Sequence, residues 1–144
     1  MAVALYTPEV LGLATSLSQY RLDNALTQRA EARSRSCGSS LILGLEFDSE
    51  DQVSLVGISA RACAVGQASA AIFALAARGR TAADIVATAS SISQWLSDEG
   101  TIPDWPNLEA IAKARDYPAR HGAIMLPWKA ALQILSTRTT ASSG

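Results

Sequence analysis

Histidine is almost missing from this chain, and cysteine is scarce. Its 144 residues include one His, His121, and two Cys, Cys37 and Cys63. A Ser–His–Asp arrangement would have to rest on His121 alone. There is no HExxH pair and no glycine-rich loop to cradle a phosphate. Charge is also thin: charged residues make up 17%, and the formal net charge is −1. That balance gives no support to nucleic-acid binding or to a polybasic membrane contact. Long apolar runs are absent too. The longest, Ala70–Ala77, stops far short of the ~20 residues a bilayer-spanning helix needs. No basic residue precedes Arg21, so the start lacks the positive region of a secretory leader. The expectation is a cytoplasmic chain with no membrane or nucleic-acid partner. In a reducing compartment its two cysteines are expected to be free, metal-bound or reactive rather than paired.

Apolar residues are plentiful at 49%, enough for one globular domain over residues 1–144, with a disordered tail at 139–144. Pro8 suits a first helical turn, and Val10, Leu13, Ala14 and Leu17 follow at helical spacing, predicting a helix over Leu5–Leu17. Leu26–Arg35 alternates. Thr27, Arg29, Glu31, Arg33 and Arg35 share one strand face, and Leu26, Ala30 and Ala32 share the other. Ser40–Phe47 puts Leu41, Leu43, Leu45 and Phe47 on one face. Asp48–Asp51 is a polar turn, and Val53–Ile58 returns. The periodicity then becomes helical. Cys63–Ala77 is rich in alanine and ends at Gly79. Thr81 with Asp84 resembles a capping box ahead of the Ile85, Ala89, Ile92, Leu96 stripe. Asn107 is placed to cap a short helix bearing Leu108 and Ile111, and Pro118 stops it. A last helix carries Trp128, Leu132 and Leu135, with Pro127 tolerable only in its first turn. The three tryptophans are expected to pack in the core or under loops. The fold class is α+β: a three-stranded antiparallel sheet, then helices packed on one face.

Each cysteine stands at the mouth of an element. Cys63 falls where a strand hands over to a helix, a place whose unpaired N–H groups favour a negative sulfur. Cys37-Gly38 precedes the Ser40–Phe47 strand. Their separation is not a zinc-knuckle spacing, so any shared site must be assembled by the fold. Taken bare, two such cysteines are more often inert core residues.

Three segments carry a resemblance: Cys37-Gly38 ahead of a strand, then ACAVGQASAAIF around Cys63, then YPARHGAIMLPWKAAL. Together they resemble the U-type iron–sulfur cluster scaffolds, the IscU and SufU proteins and the N-terminal domain of NifU. Cys63 with Ala68-Ser69 answers to the family's second motif. Pro118-Ala119-Arg120 with Leu126 and Trp128 is similar to the segment around the third motif in the SufU branch. The resemblance implies a SufE/NifU-like fold and an iron–sulfur assembly role without enzymatic turnover. It implies a cysteine desulfurase and apo iron–sulfur proteins as partners. Cys37 and Cys63 would then hold an iron–sulfur cluster or a Zn/Fe ion. Cys37 becomes the candidate sulfur acceptor and Arg120 a candidate stabiliser of thiolate or persulfide charge. Two family positions depart. The Asp after Cys-Gly is Ser39, and the third cysteine falls on Ala123, which cannot ligate. His121, two residues away, is the candidate substitute through an imidazole nitrogen. The alternatives are a SufE-like sulfur acceptor holding no cluster, and an interaction domain that has lost the site.

Overall fold

A computed structural model describes residues 5–35 and 38–143, with side chains described as far as Arg138. The first helix, α1, spans Pro8–Ser16. The Thr7 hydroxyl accepts from the Val10 amide at 3.1 Å and caps it, and Pro8 takes a position where no N–H is needed. A single 3-10 turn, Leu17–Gln19, follows.

Three antiparallel strands come next in the order β1-β2-β3: β1 Gln28–Arg33, β2 Ser40–Phe47 and β3 Val53–Arg61. Ala32, Leu41 and Ala60 form one cross-strand row, and Ala30, Leu43 and Ile58 the next. Side chains in these rows point to the helix side, where Leu41, Leu43 and Leu45 are buried. β3 runs on from Ile58 through Ser59, Ala60 and Arg61, which pair with Ile42, Leu41 and Ser40, and so ends where a strand is expected to hand over to Cys63.

Helix α2, Ala64–Ala77, is the centre of the molecule, with ten of its fourteen residues buried. Its alanines let α1, β3 and a later helix approach closely. The Phe73 ring stacks against Trp105 at 5.8 Å and meets Trp128 edge-on at 4.9 Å. Trp105 donates its indole N–H to the Ile72 carbonyl at 2.9 Å and is a core residue. Gly79, at φ +87°, ends the helix in a conformation that disfavours other residues. Thr81 and Asp84 form the expected capping box at the start of α3, Ala82–Leu96.

The short helix expected after Asn107 is instead 3-10 over Leu108–Asp116, and Asn107 is left-handed with no capping bond. The buried residues explain this. Leu108, Ile111 and Ala114 recur every three positions, the 3-10 period, and not at α spacing. A second 3-10 turn, Pro118–Arg120, leads into α4, His121–Ser143. α4 continues through most of the tail expected to fray. It also starts early enough to make Pro127 its seventh residue, a correction to the first-turn placement.

Helices cover one face of the sheet. Residues 20–26 cross the other. Gly44 and Gly57 are cross-strand partners, and their missing side chains make the crossing possible. A Cβ on Gly57 would lie 2.3 Å from Leu26 Cδ1 and 2.6 Å from the Arg21 carbonyl oxygen. The outer edge of β3 is closed by bonds from Ile58 N to the Tyr20 carbonyl (2.6 Å) and from Val53 N to the Arg80 carbonyl (2.9 Å). No described helix is long and apolar enough to cross a membrane.

Candidate functional site

One end of the sheet gathers the segments that the sequence singles out. β1 ends and β2 begins there. The Ser34 amide donates to the Ser39 carbonyl at 2.8 Å, and both serines are buried. Cys37 lies between them in sequence and outside the described residues. Gly38, at φ +71°, is exposed. Ser40 pairs directly with Arg61, the last residue of β3. Two residues on, Cys63 is the N-cap of α2.

Cys63 has extended backbone, φ −65° and ψ 170°, and is half-buried. Its side chain makes no capping bond. Its carbonyl accepts from the Gln67 amide at 2.9 Å, while the Gln67 side chain donates to the Ala62 carbonyl at 2.9 Å. Gln67 therefore fixes the entry to α2 without occupying the sulfur.

Ala123 lies against the same helix turn. A Cβ on Gly66 would be 3.3 Å from the Ala123 Cβ and 2.8 Å from that of Ala62. The absence of a side chain at Gly66 thus lets the first turn of α4 approach the first turn of α2. Ala123 is wholly buried and brings a methyl group, with no donor atom. One residue on, the Ile124 carbonyl accepts a 2.6 Å bond from the buried Ser69 hydroxyl. The Ala-Ser pair read as a motif is therefore also a fastening between α2 and α4, as sequence alone could not reveal. Pro127 has no N–H, so the Ala123 carbonyl lacks the helical donor it would otherwise meet.

His121 points elsewhere. The His121 Nε2 is 2.6 Å from the Arg115 carbonyl oxygen. A carbonyl only accepts, so Nε2 carries the hydrogen. Two residues along a helix turn the side chain by about 200°, so His121 and Ala123 face opposite sides of α4. His121 lines a recess with Ser97, Asp98, Asp116 and Pro118, between the end of α3 and the 3-10 segment. Arg120 reaches the Tyr6 hydroxyl at 3.5 Å. Among the described residues no group of three or more His, Cys, Asp or Glu could hold a metal ion.

No protein-family model matches the chain. No curated protein matches it in sequence. Solved structures do. A nitrogen-fixing NifU-like protein (N-terminal) from Brucella abortus is 25% identical, with a TM-score of 0.83 over 92% of this chain and 93% of that one. A protein put forward as the iron–sulfur cluster assembly scaffold of the SUF system in thermophilic Fervidobacterium islandicum AW-1 has a TM-score of 0.80. At 18% identity over 92% of this chain and 97% of that one, it attests the fold alone.

Proposed function

We propose, on the premise that this chain has the U-type iron–sulfur scaffold fold, that it is an iron–sulfur cluster assembly protein working through Cys37 and Cys63 with a cysteine desulfurase. The observation that carries the reading is the meeting of the β1–β2 hairpin, the Cys63 N-cap and Ala123 at one end of the sheet. These are the three segments that hold cysteines in the family it resembles.

Sulfur acceptance needs only one reachable thiolate. That thiolate attacks the outer sulfur of the desulfurase persulfide, a new S–S bond forms here, and the desulfurase thiolate leaves. Cys37, beside the exposed Gly38, is the proposed acceptor. Cys63 is the second carrier or ligand, and Arg120 a candidate for steadying the charged sulfur.

Cluster holding is the more demanding half. A two-iron cluster takes about four ligands, and Ser39 and Ala123 remove two. The cluster is therefore cargo, completed by thiolates from a partner or a second chain. His121 is the weaker substitute, since its ring is tied to Arg115 on the other side of α4. If it ligates, it must do so through Nδ1. We expect wild-type protein reconstituted anaerobically to hold little cluster. Ala123→Cys, which puts a thiol beside the first turn of α2, should hold more. Equal absorbance from both proteins would refute the site as drawn, and His121→Ala should leave the wild-type yield unchanged.

A further inference from the structure

The outer face of the sheet is covered over only part of its length. Residues 20–26 lie over the Gly44/Gly57 pair, leaving two rows bare toward the Cys63 end: Arg33–Ser40–Arg61 and Glu31–Ile42–Ser59. Directly paired residues share a face, and these rows face away from the helices, opposite to Ala32, Leu41 and Ala60. Arg33, Arg35 and Arg61 are all exposed. Glu31 is the one carboxylate in the two rows. It meets Arg33 at 3.3 Å, with 46% and 75% of the two side chains in water. Among the described residues neither Arg35 nor Arg61 has an ion-pair partner.

Several arginines elsewhere are engaged within the chain. Arg29 donates to the Leu26 and Asp23 carbonyls, Arg115 pairs with Asp98 and Arg138 with Asp51, and Arg80 lies over Trp105. The opposite end of the same sheet carries exposed Asp48, Glu50 and Asp51. In a chain of net charge −1, Arg35 and Arg61 thus stand exposed, and without an ion-pair partner among the described residues, at the Cys63 end of the sheet.

We propose that this bare half-face is a docking surface for an acidic segment of a partner protein. Its carboxylates would lie against Arg33, Arg35 and Arg61, bringing the partner to the end of the sheet where Cys63 begins α2. The inference goes beyond the assembly reading and holds whether sulfur, a cluster or neither is exchanged. A protein fits better than a nucleic acid. A duplex, with one charge per about 1.7 Å of axis, would outrun three arginines and meet Asp48 to Asp51, and the two bare rows hold no aromatic ring on which a base could stack.

The test is an NMR titration of isotope-labelled protein at low salt with a short blocked peptide of alternating Glu and Ser. The expected result is amide shifts centred on Arg33, Ser40, Ile42, Ser59 and Arg61, fading as salt screens the charges. Arg33→Glu with Arg61→Glu should weaken binding about tenfold or more with the rest of the spectrum unchanged. Arg78→Glu should change it less than about twofold. Shifts that are absent, or that centre on Arg78, Arg80 or Arg138, would overturn the proposal. So would tighter binding of an oligothymidylate of equal length at the same salt.

Discussion

The two ends of the sheet are built on different terms. At the far end every joint is closed. The Asp48 carboxylate accepts from the amides of Glu50 and Gln52, Gly79 N bonds the Val53 carbonyl at 2.8 Å, and Arg138 pairs with Asp51 while lying over Phe47. Thr81 caps α3 there with a full capping box. At the near end α2 begins at Cys63 with no side-chain cap, although α1 and α3 are both capped by threonine. A hydroxyl at position 63 would cap; a thiol does so weakly. The chain therefore forgoes about 1 kcal/mol of helix stability at the position where it keeps a sulfur. That trade is the one the proposed sulfur role of Cys63 would require.

The largest effect should come from the core behind both ends. Phe73→Ala removes the ring that packs against both Trp105 and Trp128 and should cost about 3–5 kcal/mol in denaturant unfolding. A loss under 1 kcal/mol would mean that α2 is not the shared support described here. Next is Gly66→Ala. The new Cβ must push the Ala62 or Ala123 methyl, at a cost of about 1–3 kcal/mol, and the shifted amides should cluster around residues 62–69 and 121–124. Disturbance at Val53 or Thr81 instead would break the separation of the two ends.

Two cap substitutions sharpen the comparison because their signs differ. Thr81→Ala should destabilise by about 1 kcal/mol, whereas Cys63→Ser should stabilise by roughly 0.5–1 kcal/mol by supplying the missing cap. A fall in melting temperature for Cys63→Ser would show that the sulfur, half-buried against the core, is held there for packing. The smallest expected effect is a pH dependence. The Glu46 carboxylate is held below its usual pKa chiefly by the Thr27 hydroxyl, and also by the Thr27 amide, both 2.7 Å away. A depressed folded-state pKa means that the unfolded chain binds the proton more readily. The contribution is therefore present above the ordinary carboxylate range and is lost as pH falls through the folded-state value. Glu46→Gln should lower the melting temperature slightly at neutral pH and leave it unchanged in acid, so that the acid side of the curve flattens; parallel curves would count against the contact.

Much of the fold is legible in alternation and caps. Leu41, Leu43, Leu45 and Phe47 place β2 with its correct bounds, and Thr81 with Asp84 marks the start of α3. Segments shaped by partners are less legible: Leu108–Asp116 follows a period of three that reads as a short helix. At the candidate site, the handover at Cys63 is visible from periodicity alone. The role of Gly66 is not, because it depends on Ala123 arriving from a distant helix. The direction of His121 is not legible either, because it depends on α4 starting at His121, ahead of the place that Pro127 suggests.

The central claim is that the near end accepts sulfur. The protein is incubated with a cysteine desulfurase and cysteine, then weighed intact by mass spectrometry, with a known acceptor labelled in parallel. Wild type and Thr81→Ala should each gain the mass of added sulfur, Cys37→Ser should lose most of that gain, and Cys63→Ser should lose part of it. No added sulfur on wild type while the known acceptor is labelled, or equal gain after both cysteines are replaced, would contradict the account.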